Sequence, residues 1–315
     1  MIFSVNSQVK NSDGGMHTSD QPQCAPVALF TYNRPVHTLK TLAALQKNPE
    51  AKKTALYIFA DGPKTNATND DIARIKELRE VIHAATGFKE IHIIEQKINI
   101  GLANSIINGV RYVLERHPNL IVLEDDILVN KYFLEYMNSG LQLYADEEQV
   151  VSINAYNPGG PVSYLYPETF FIKGADCQGW ATWRRGWALF EPDGKKLFQD
   201  LHNSNLVHEF NFGGAYPYIS LLHKQIMGQV DSWAIRWYAS TFLASKLSLF
   251  PATSLVYNIG FGTLATHTLT AHAAFNKNYS EDKVTVFKQI PVENNEIRKA
   301  YGAGLNLFCS PDSVP

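Results

Sequence analysis

Four short apolar runs constrain this chain more than anything else in it: Val27-Ala28-Leu29-Phe30, Leu56-Tyr57-Ile58-Phe59, Ile91-His92-Ile93-Ile94 and Leu120-Ile121-Val122-Leu123. Each has the length of a buried strand. The stretches between them have helical spacing. Pro35 stands at a first helical position ahead of Val36, Leu39, Leu42 and Leu45. Asn69 and Asp70 offer a helix start ahead of Ile72, Ile75, Leu78 and Ile82, and Leu102, Ile106, Val110 and Val113 mark a third face. Strands alternating with amphipathic helices predict βαβ units, and so an α/β fold with a mainly parallel central sheet flanked by helices. Such sheets gather ligands at the carboxyl ends of their strands. Three of those ends carry distinctive polar residues: Thr31-Tyr32-Asn33-Arg34, Asp61-Gly62 and Glu124-Asp125-Asp126.

The acidic triplet sets the chemistry. Three carboxylates at the mouth of a buried strand repel one another and are costly to desolvate. A divalent cation relieves that cost, and Mg²⁺ or Mn²⁺ held by one or two carboxylates, with substrate phosphates completing the shell, is a common arrangement. The alternative is a solvated strand end whose acids cap the helix that follows.

The rest of the chain narrows the setting. Its 315 residues, 45% hydrophobic and 18% charged, suffice for one large domain or two small ones. A formal net charge of -2 with no long basic block argues against nucleic acid as a partner. Cys24, Cys177 and Cys309 form neither a disulfide framework nor a zinc pattern, which fits a reducing cytoplasm. Met1 to Gln23 lacks the charged start and apolar stretch of a signal peptide, and no apolar run approaches the ~18–20 residues of a membrane span. Residues 1–25 are expected to be a disordered or loosely attached arm. After residue 130 the rhythm changes. Asn130 can cap a helix bearing Phe133, Leu134, Met137 and Leu141; Val150–Ile153 and Phe170–Ile172 are strand-like; Trp180, Trp183 and Trp187 share a helical face; two helices are predicted around 216–228 and 232–246. A wrapping tail follows from about residue 270.

The ordered set of motifs resembles the glycosyltransferases of the A-type fold. It runs from Tyr32-Asn33-Arg34-Pro35 through Asp61-Gly62 and Asn99-Ile100-Gly101-Leu102-Ala103-Asn104 to Leu123-Glu124-Asp125-Asp126. Glu-Asp-Asp is similar to the metal motif of N-acetylglucosaminyltransferase I and its relatives, and bacterial family 2-like sugar transferases share the pattern. Val151-Ser152-Ile153-Asn154-Ala155, Gly179-Trp180-Ala181-Thr182-Trp183 and Asp231-Ser232-Trp233 resemble later segments of those enzymes, over residues 26–268 in all. The resemblance implies a metal-dependent inverting glycosyltransferase of hexosyl or N-acetylhexosaminyl type, with a nucleotide-sugar-binding half (26–129), an acceptor and catalytic half (130–268) and a C-terminal tail (269–315). It would take a nucleotide sugar, a UDP-sugar first, and pass the sugar to a glycan or lipid-linked acceptor for polysaccharide synthesis, in the cytoplasm or peripherally at the inner membrane face.

The same resemblance implies the roles. Asp126, supported by Asp125, would bind Mn²⁺ or Mg²⁺. Glu124 would reach the ribose and Asp125 the sugar, with Thr31, Asn33 and Arg34 near the nucleotide. Asp61 would accept a hydrogen bond from the base, while Asn99, Gly101 and Asn104 would line the cleft. Trp180 would wall the sugar, and His267, in a loop with Gly260-Phe261-Gly262-Thr263, would lie over the diphosphate. Asp231 would be the general base.

Structural alternatives stand beside these roles. Asp61-Gly62-Pro63 also reads as a turn, Asn99 as a helix cap, and Asp231 as the N-cap of the predicted helix 232–246. Two other functions compete. A sugar-phosphate nucleotidyltransferase would ordinarily carry a glycine-rich loop after the first strand, where Thr31-Tyr32-Asn33-Arg34-Pro35 has no glycine. A non-catalytic nucleotide-sugar or glycan-binding module would bind the donor without turnover.

Overall fold

The structure is a computed structural model that describes residues 9–11, 24–159, 166–260 and 275–306. In chain order its elements are β1 (Val9–Asn11), β2 (Val27–Thr31), α1 (Pro35–Gln46), β3 (Ala55–Ala60), α2 (Asn69–His83), β4 (Glu90–Glu95), α3 (Leu102–Leu114) and β5 (Asn119–Glu124). The second half continues with β6 (Ile127–Val129), α4 (Phe133–Leu143), β7 (Val150–Asn154), β8 (Thr169–Lys173), β9 (Trp180–Trp183), α5 (Arg184–Trp187), α6 (Gly194–Asn203), α7 (Val207–Phe210), α8 (Tyr218–Ile226), α9 (Ala234–Leu243), β10 (Leu247–Pro251) and β11 (Val256–Asn258). A C-terminal helix covers Asn295–Asn306.

One nine-stranded sheet has the order β1-β4-β3-β2-β5-β9-β7-β10-β8. β2, β3, β4, β5, β7 and β10 run one way, and β1, β8 and β9 run against them. The mainly parallel α/β sheet expected from the sequence is the one that forms. β6 and β11 pair as a separate antiparallel ribbon. The chain steps outward from β2 to β3 and β4, then returns through α3 to lay β5 on the other side of β2. That reversal is a switch point, and it opens a crevice at the carboxyl ends of β2 and β5.

Alternation along each strand sends neighbours to opposite faces. Val27, Leu29, Leu56, Ile58, Ile121 and Leu123 pack with Leu42 and Leu45 of α1, Leu78 and Ile82 of α2, and Phe133 and Met137 of α4. Ala28, Phe30, Tyr57, Phe59, Leu120 and Val122 pack with Ile106, Val110 and Val113 of α3 and with Trp180, Trp233 and Trp237. Each such apolar side chain contributes roughly 1.5–3 kcal/mol on burial. The layered core therefore fixes the strand ends that carry the polar residues.

Some elements differ from the sequence reading. In α1, Val36 and Leu39 are exposed, and the buried face runs through Thr38, Thr41, Leu42 and Leu45. Both threonines are tolerated inside because their hydroxyls donate to carbonyls, Thr38 to Arg34 O and Thr41 to Asp125 O. The tryptophans at 180, 183 and 187 do not share one helix. Trp180 and Trp183 belong to β9, which is wedged between β5 and β7 and buried on both faces, and Trp187 closes the short helix α5. A fully buried strand has no polar side to betray its period of two. Within the stretch read as an arm, Val9–Asn11 pairs antiparallel with β4 at the sheet edge. Among the described residues no helix is long and apolar enough to cross a membrane.

Candidate active site

The crevice is built from the ends of three parallel strands. Arg34 follows β2, Asp61 follows β3, and Glu124, Asp125 and Asp126 close β5. Arg34 Nη1 lies 2.9 Å from Asp126 Oδ2 and 3.8 Å from Asp125 Oδ1. The Tyr32 N–H donates to Asp125 Oδ2 at 3.4 Å, and the buried Thr41 hydroxyl donates to the Asp125 carbonyl at 2.9 Å. The triplet is thus tied to both the β2 loop and α1.

Strand alternation places Glu124 on the α3 side, in line with Leu120 and Val122. There the Trp233 side chain hydrogen-bonds its carboxyl. Burial, reinforced by Asp126 and Asp125, pushes the Glu124 carboxyl well above the usual range. Burial, then Asp126, pushes Asp125 up to about 7, and Arg34 opposes the shift. One guanidinium faces three carboxyls, too little positive charge to keep all of them ionised.

Asp126 is also enclosed from the β11 side. Its carbonyl accepts the Ile259 N–H at 2.8 Å, and the Ile259 carbonyl lies 3.2 Å from His37 Nε2. Gly260 then passes so close that a Cβ there would sit 2.1 Å from Asp126 Oδ2. His37 and Thr41, both on α1, escaped the sequence reading. Their spacing of four along a helix, one turn beyond Arg34, is the signal that could have found them.

Asp61 is nearly buried and fully engaged. Its Oδ1 accepts the N–H groups of Gly62 (2.8 Å) and Ile100 (3.0 Å). Its Oδ2 accepts those of Gly101 (3.1 Å) and the Asn99 side chain (2.9 Å). A carboxylate offers about four acceptor positions, so none is left for a nucleobase. Asp61 instead clamps the 99–101 loop at the entrance of α3, a correction to the role inferred by resemblance. Gly101 has φ 82°, in the region that favours glycine, and its missing Cβ leaves room for Asp231 Oδ2 at 3.0 Å.

Asp231 reaches this same point. Its Oδ2 accepts the Ala103 N–H at 3.2 Å, within the first turn of α3. It does not cap its own helix: Ser232 Oγ accepts the Ile235 N–H at 3.3 Å instead. Two residues further on, Trp233 meets Glu124, so the Asp231–Trp233 segment joins the acid triplet to the α3 entrance.

The other expected residues fall elsewhere. Trp180 is fully buried and stacks on Trp233 at 5.3 Å, so it supports the site from beneath and walls nothing. Asn33 donates to Asp71 Oδ1 of α2 (3.1 Å), and buried Thr31 donates to Phe59 O (3.4 Å). Exposed Asn104 donates to Ile100 O at 2.9 Å and braces the loop. His267 lies outside the described residues.

Two carboxylates, buried Asp125 and partly buried Asp126, lie side by side against Arg34. Among the described residues no three His, Cys, Asp or Glu side chains are placed to hold a metal by themselves. The pair fits Mg²⁺ or Mn²⁺ as a half-site whose remaining oxygens come from phosphate and water.

The fold is α/β, with the polar strand ends gathered at the switch point of its sheet. Among solved structures the chain is similar to S. aureus TarS (13% identity, 41% of this chain and 21% of TarS covered, TM-score 0.26). It is also similar to the mannosyltransferase PcManGT from Pyrobaculum calidifontis in complex with GDP-Man and Mn²⁺ (12% identity, 71% and 77% covered, TM-score 0.34). A third is mouse xyloside xylosyltransferase 1 in its apo form (11% identity, 71% and 82% covered, TM-score 0.30). The chain thus spans about a fifth of the length of TarS. No family model matches the chain, and no curated protein matches it.

Proposed function

We propose that the chain is a metal-dependent, inverting glycosyltransferase that moves a sugar from a nucleotide sugar, a UDP-sugar first, to a hydroxyl of a glycan or lipid-linked acceptor. The observation that supports this reading is Asp125 and Asp126 against Arg34 at the end of β5, linked through the Glu124–Trp233 hydrogen bond to the segment whose Asp231 caps α3 at Ala103. Residues 26–129 serve the donor, 130–268 serve the acceptor and catalysis, and 269–315 follow as a tail.

Asp125 and Asp126 would hold Mn²⁺ or Mg²⁺, which when bound offsets charge on the departing diphosphate as a Lewis acid. Arg34, half exposed beside them, is free to turn its guanidinium toward phosphate oxygens. Glu124, held by Trp233, borders the ribose. Asp231 is the base. Its Oδ2 is fixed by Ala103, which leaves Oδ1 to take the proton from the attacking acceptor hydroxyl. A positioned base of this kind contributes about 10²–10⁴-fold. Attack opposite the leaving diphosphate inverts the anomeric centre without a covalent sugar–enzyme species. Free Cys24 and Cys177 are consistent with a reducing compartment.

The nucleotidyltransferase reading loses ground because α1 begins at Pro35, directly after Arg34, which leaves no phosphate loop there. A thermal-shift screen of nucleotide sugars with Mn²⁺ tests the proposal, since a ligand that binds only the folded form raises the melting temperature. A UDP-sugar should raise it with Mn²⁺ and not with EDTA, and turnover should release nucleoside diphosphate. Metal-independent turnover overturns the role given to Asp125 and Asp126. Donor binding without any release of diphosphate would leave a binding module.

A further inference from the structure

The hydrogen bonds that consume Asp61 hold a loop whose outer side is apolar. Ile98 opens that loop. Its backbone lies so close to Gly62 that a Cβ there would meet it at 2.6 Å, and the next residue, Asn99, donates its N–H to Pro63 O at 3.0 Å. The loop is thus fixed by Asp61, Gly62 and Pro63, yet the Ile98 side chain is 69% exposed. Leu102, the first residue of α3, follows at 46%. Single exposed apolar residues are ordinary. A clamped loop and helix start that project two of them mark an interaction surface.

Cations frame this pair. Lys97 directly precedes Ile98. Lys64 follows Pro63, which the loop touches, and its ammonium lies 6.0 Å from the centre of the Tyr32 ring. Both lysines are exposed, and neither is ion-paired among the described residues. At the start of α2, Asp70 and Asp71 are each paired with Arg74, at 2.9 and 3.0 Å. The loops therefore present unpaired cations beside apolar side chains.

The parallel sheet widens this surface. α1, α2 and α3 all begin at the carboxyl ends of their strands, so their first turns share one end of the molecule. Val36 and Ile72, near the starts of α1 and α2, are exposed there as well, and Asn33 Nδ2 donates to Asp71 Oδ1 at 3.1 Å, which ties the two starts together. The crevice opens at this same end. Leu102 lies between Gly101 and Ala103, the two residues that meet Asp231 Oδ2, so the apolar rim borders the exposed carboxylate.

Apolar side chains flanked by lysines match a bilayer interface, where the acyl boundary takes the first and anionic headgroups the second. A second copy docking by the same face would set lysines against lysines. We propose that this rim docks the chain on an anionic lipid bilayer, with Ile98 and Leu102 entering the headgroup region and Lys64 and Lys97 on lipid phosphates, so that the acceptor presented to Asp231 is lipid-linked. The docking rests on the rim alone, and the acceptor class rests also on the glycosyltransferase reading of the crevice.

The test is co-flotation of the full chain with vesicles of phosphatidylcholine alone and of phosphatidylcholine mixed with phosphatidylglycerol. The wild type should bind the mixed vesicles at least about tenfold more tightly than the neutral ones, the scale of two lysines near a charged surface. Lys64→Glu with Lys97→Glu should erase that preference. Ile98→Ser with Leu102→Ser should weaken binding to the mixed vesicles about tenfold or more. The lysine pair supplies the result if the apolar pair does not fold. No flotation of the wild type, equal binding to both kinds of vesicle, or unchanged binding in the variants overturns the surface. Self-association in sedimentation velocity that the same substitutions abolish, with vesicles left unbound, overturns it in favour of a second copy. UDP with Mn²⁺ is titrated onto the wild type in parallel. Vesicle binding without UDP–Mn²⁺ binding overturns the acceptor class along with the glycosyltransferase reading, whereas UDP–Mn²⁺ binding without vesicle binding overturns the membrane surface alone.

Discussion

The Asp231 carboxylate caps α3, a helix more than a hundred residues earlier in the chain, by accepting the Ala103 N–H at 3.2 Å. A carboxylate at a helix N-terminus is favoured by the unpaired N–H groups there. The same bond leaves one oxygen pointing away from the helix with a fixed direction. Cap and base are therefore two uses of one side chain. Asp231→Asn keeps an oxygen for Ala103 and should lower transfer by about 10²–10⁴-fold with little change in melting temperature. Asp231→Ala should add a loss of about 0.5–2 kcal/mol in stability from the missing cap. Steady-state transfer assays beside chemical denaturation separate the two, and full transfer by Asp231→Asn would leave only the cap.

Gly260→Ala should disable the acid corner without unfolding the protein. The added methyl would stand 2.1 Å from Asp126 Oδ2, and the carboxylate is the part that can yield. Displaced from Asp125 and Arg34, Asp126 should hold UDP–Mn²⁺ at least about tenfold more weakly, a difference of about 1.4 kcal/mol. Isothermal titration of UDP with and without Mn²⁺ measures this. Asp126→Ala should abolish the metal-dependent part altogether.

Thr41→Val probes the support beneath the triplet. The hydroxyl is fully buried, and the Asp125 carbonyl it serves would lose that partner inside the protein. A loss of about 1–3 kcal/mol in unfolding free energy is expected. A neutral result would mean that water reaches this carbonyl.

Stability should fall with rising pH when no metal is present. The Asp125 carboxyl is pushed up from its ordinary 3.8 to about 7, and Glu124 is shifted in the same direction. Between those values the native state binds more protons than the unfolded chain. The stabilisation is thus complete below about pH 4, declines as pH rises toward about 7, and is lost above it. Mn²⁺ prefers the deprotonated pair, so the rise in melting temperature it causes should grow across the same range. Scanning calorimetry from about pH 5 to about pH 8, with Mn²⁺ and with EDTA, checks both slopes. A metal effect that shrinks as pH rises contradicts the pairing of these carboxyls with a cation.

The four parallel strands β2 to β5, with α2 and α3, were legible because apolar runs and turn residues there agree with the tertiary packing. The triplet was legible because three acids directly after Leu123 have no ordinary place in a buried strand. Other features were hidden for physical reasons. The inward face of α1 uses Thr38 and Thr41, whose hydroxyls are satisfied only by carbonyls that the fold brings near. Asp61 reads as a free acceptor until Ile100 and Gly101 arrive from beyond β4. Trp180 reads as a ligand platform because sequence cannot show that Trp233 and Trp237 bury it.

The strand order also dictates a timetable for synthesis. β2, β3, β4 and β5 find one another using only residues up to 124, and can assemble while the remainder is still being translated. β10 is inserted between β7 and β8: β7 reaches the sheet earlier through β9, but β8 cannot join until residue 251 has left the ribosome. During that delay the edges of β7 and β8 stay unpaired, and such edges recruit other chains. Slowed translation between β8 and β10 should therefore lower the yield of native protein more than an equal pause within the first half.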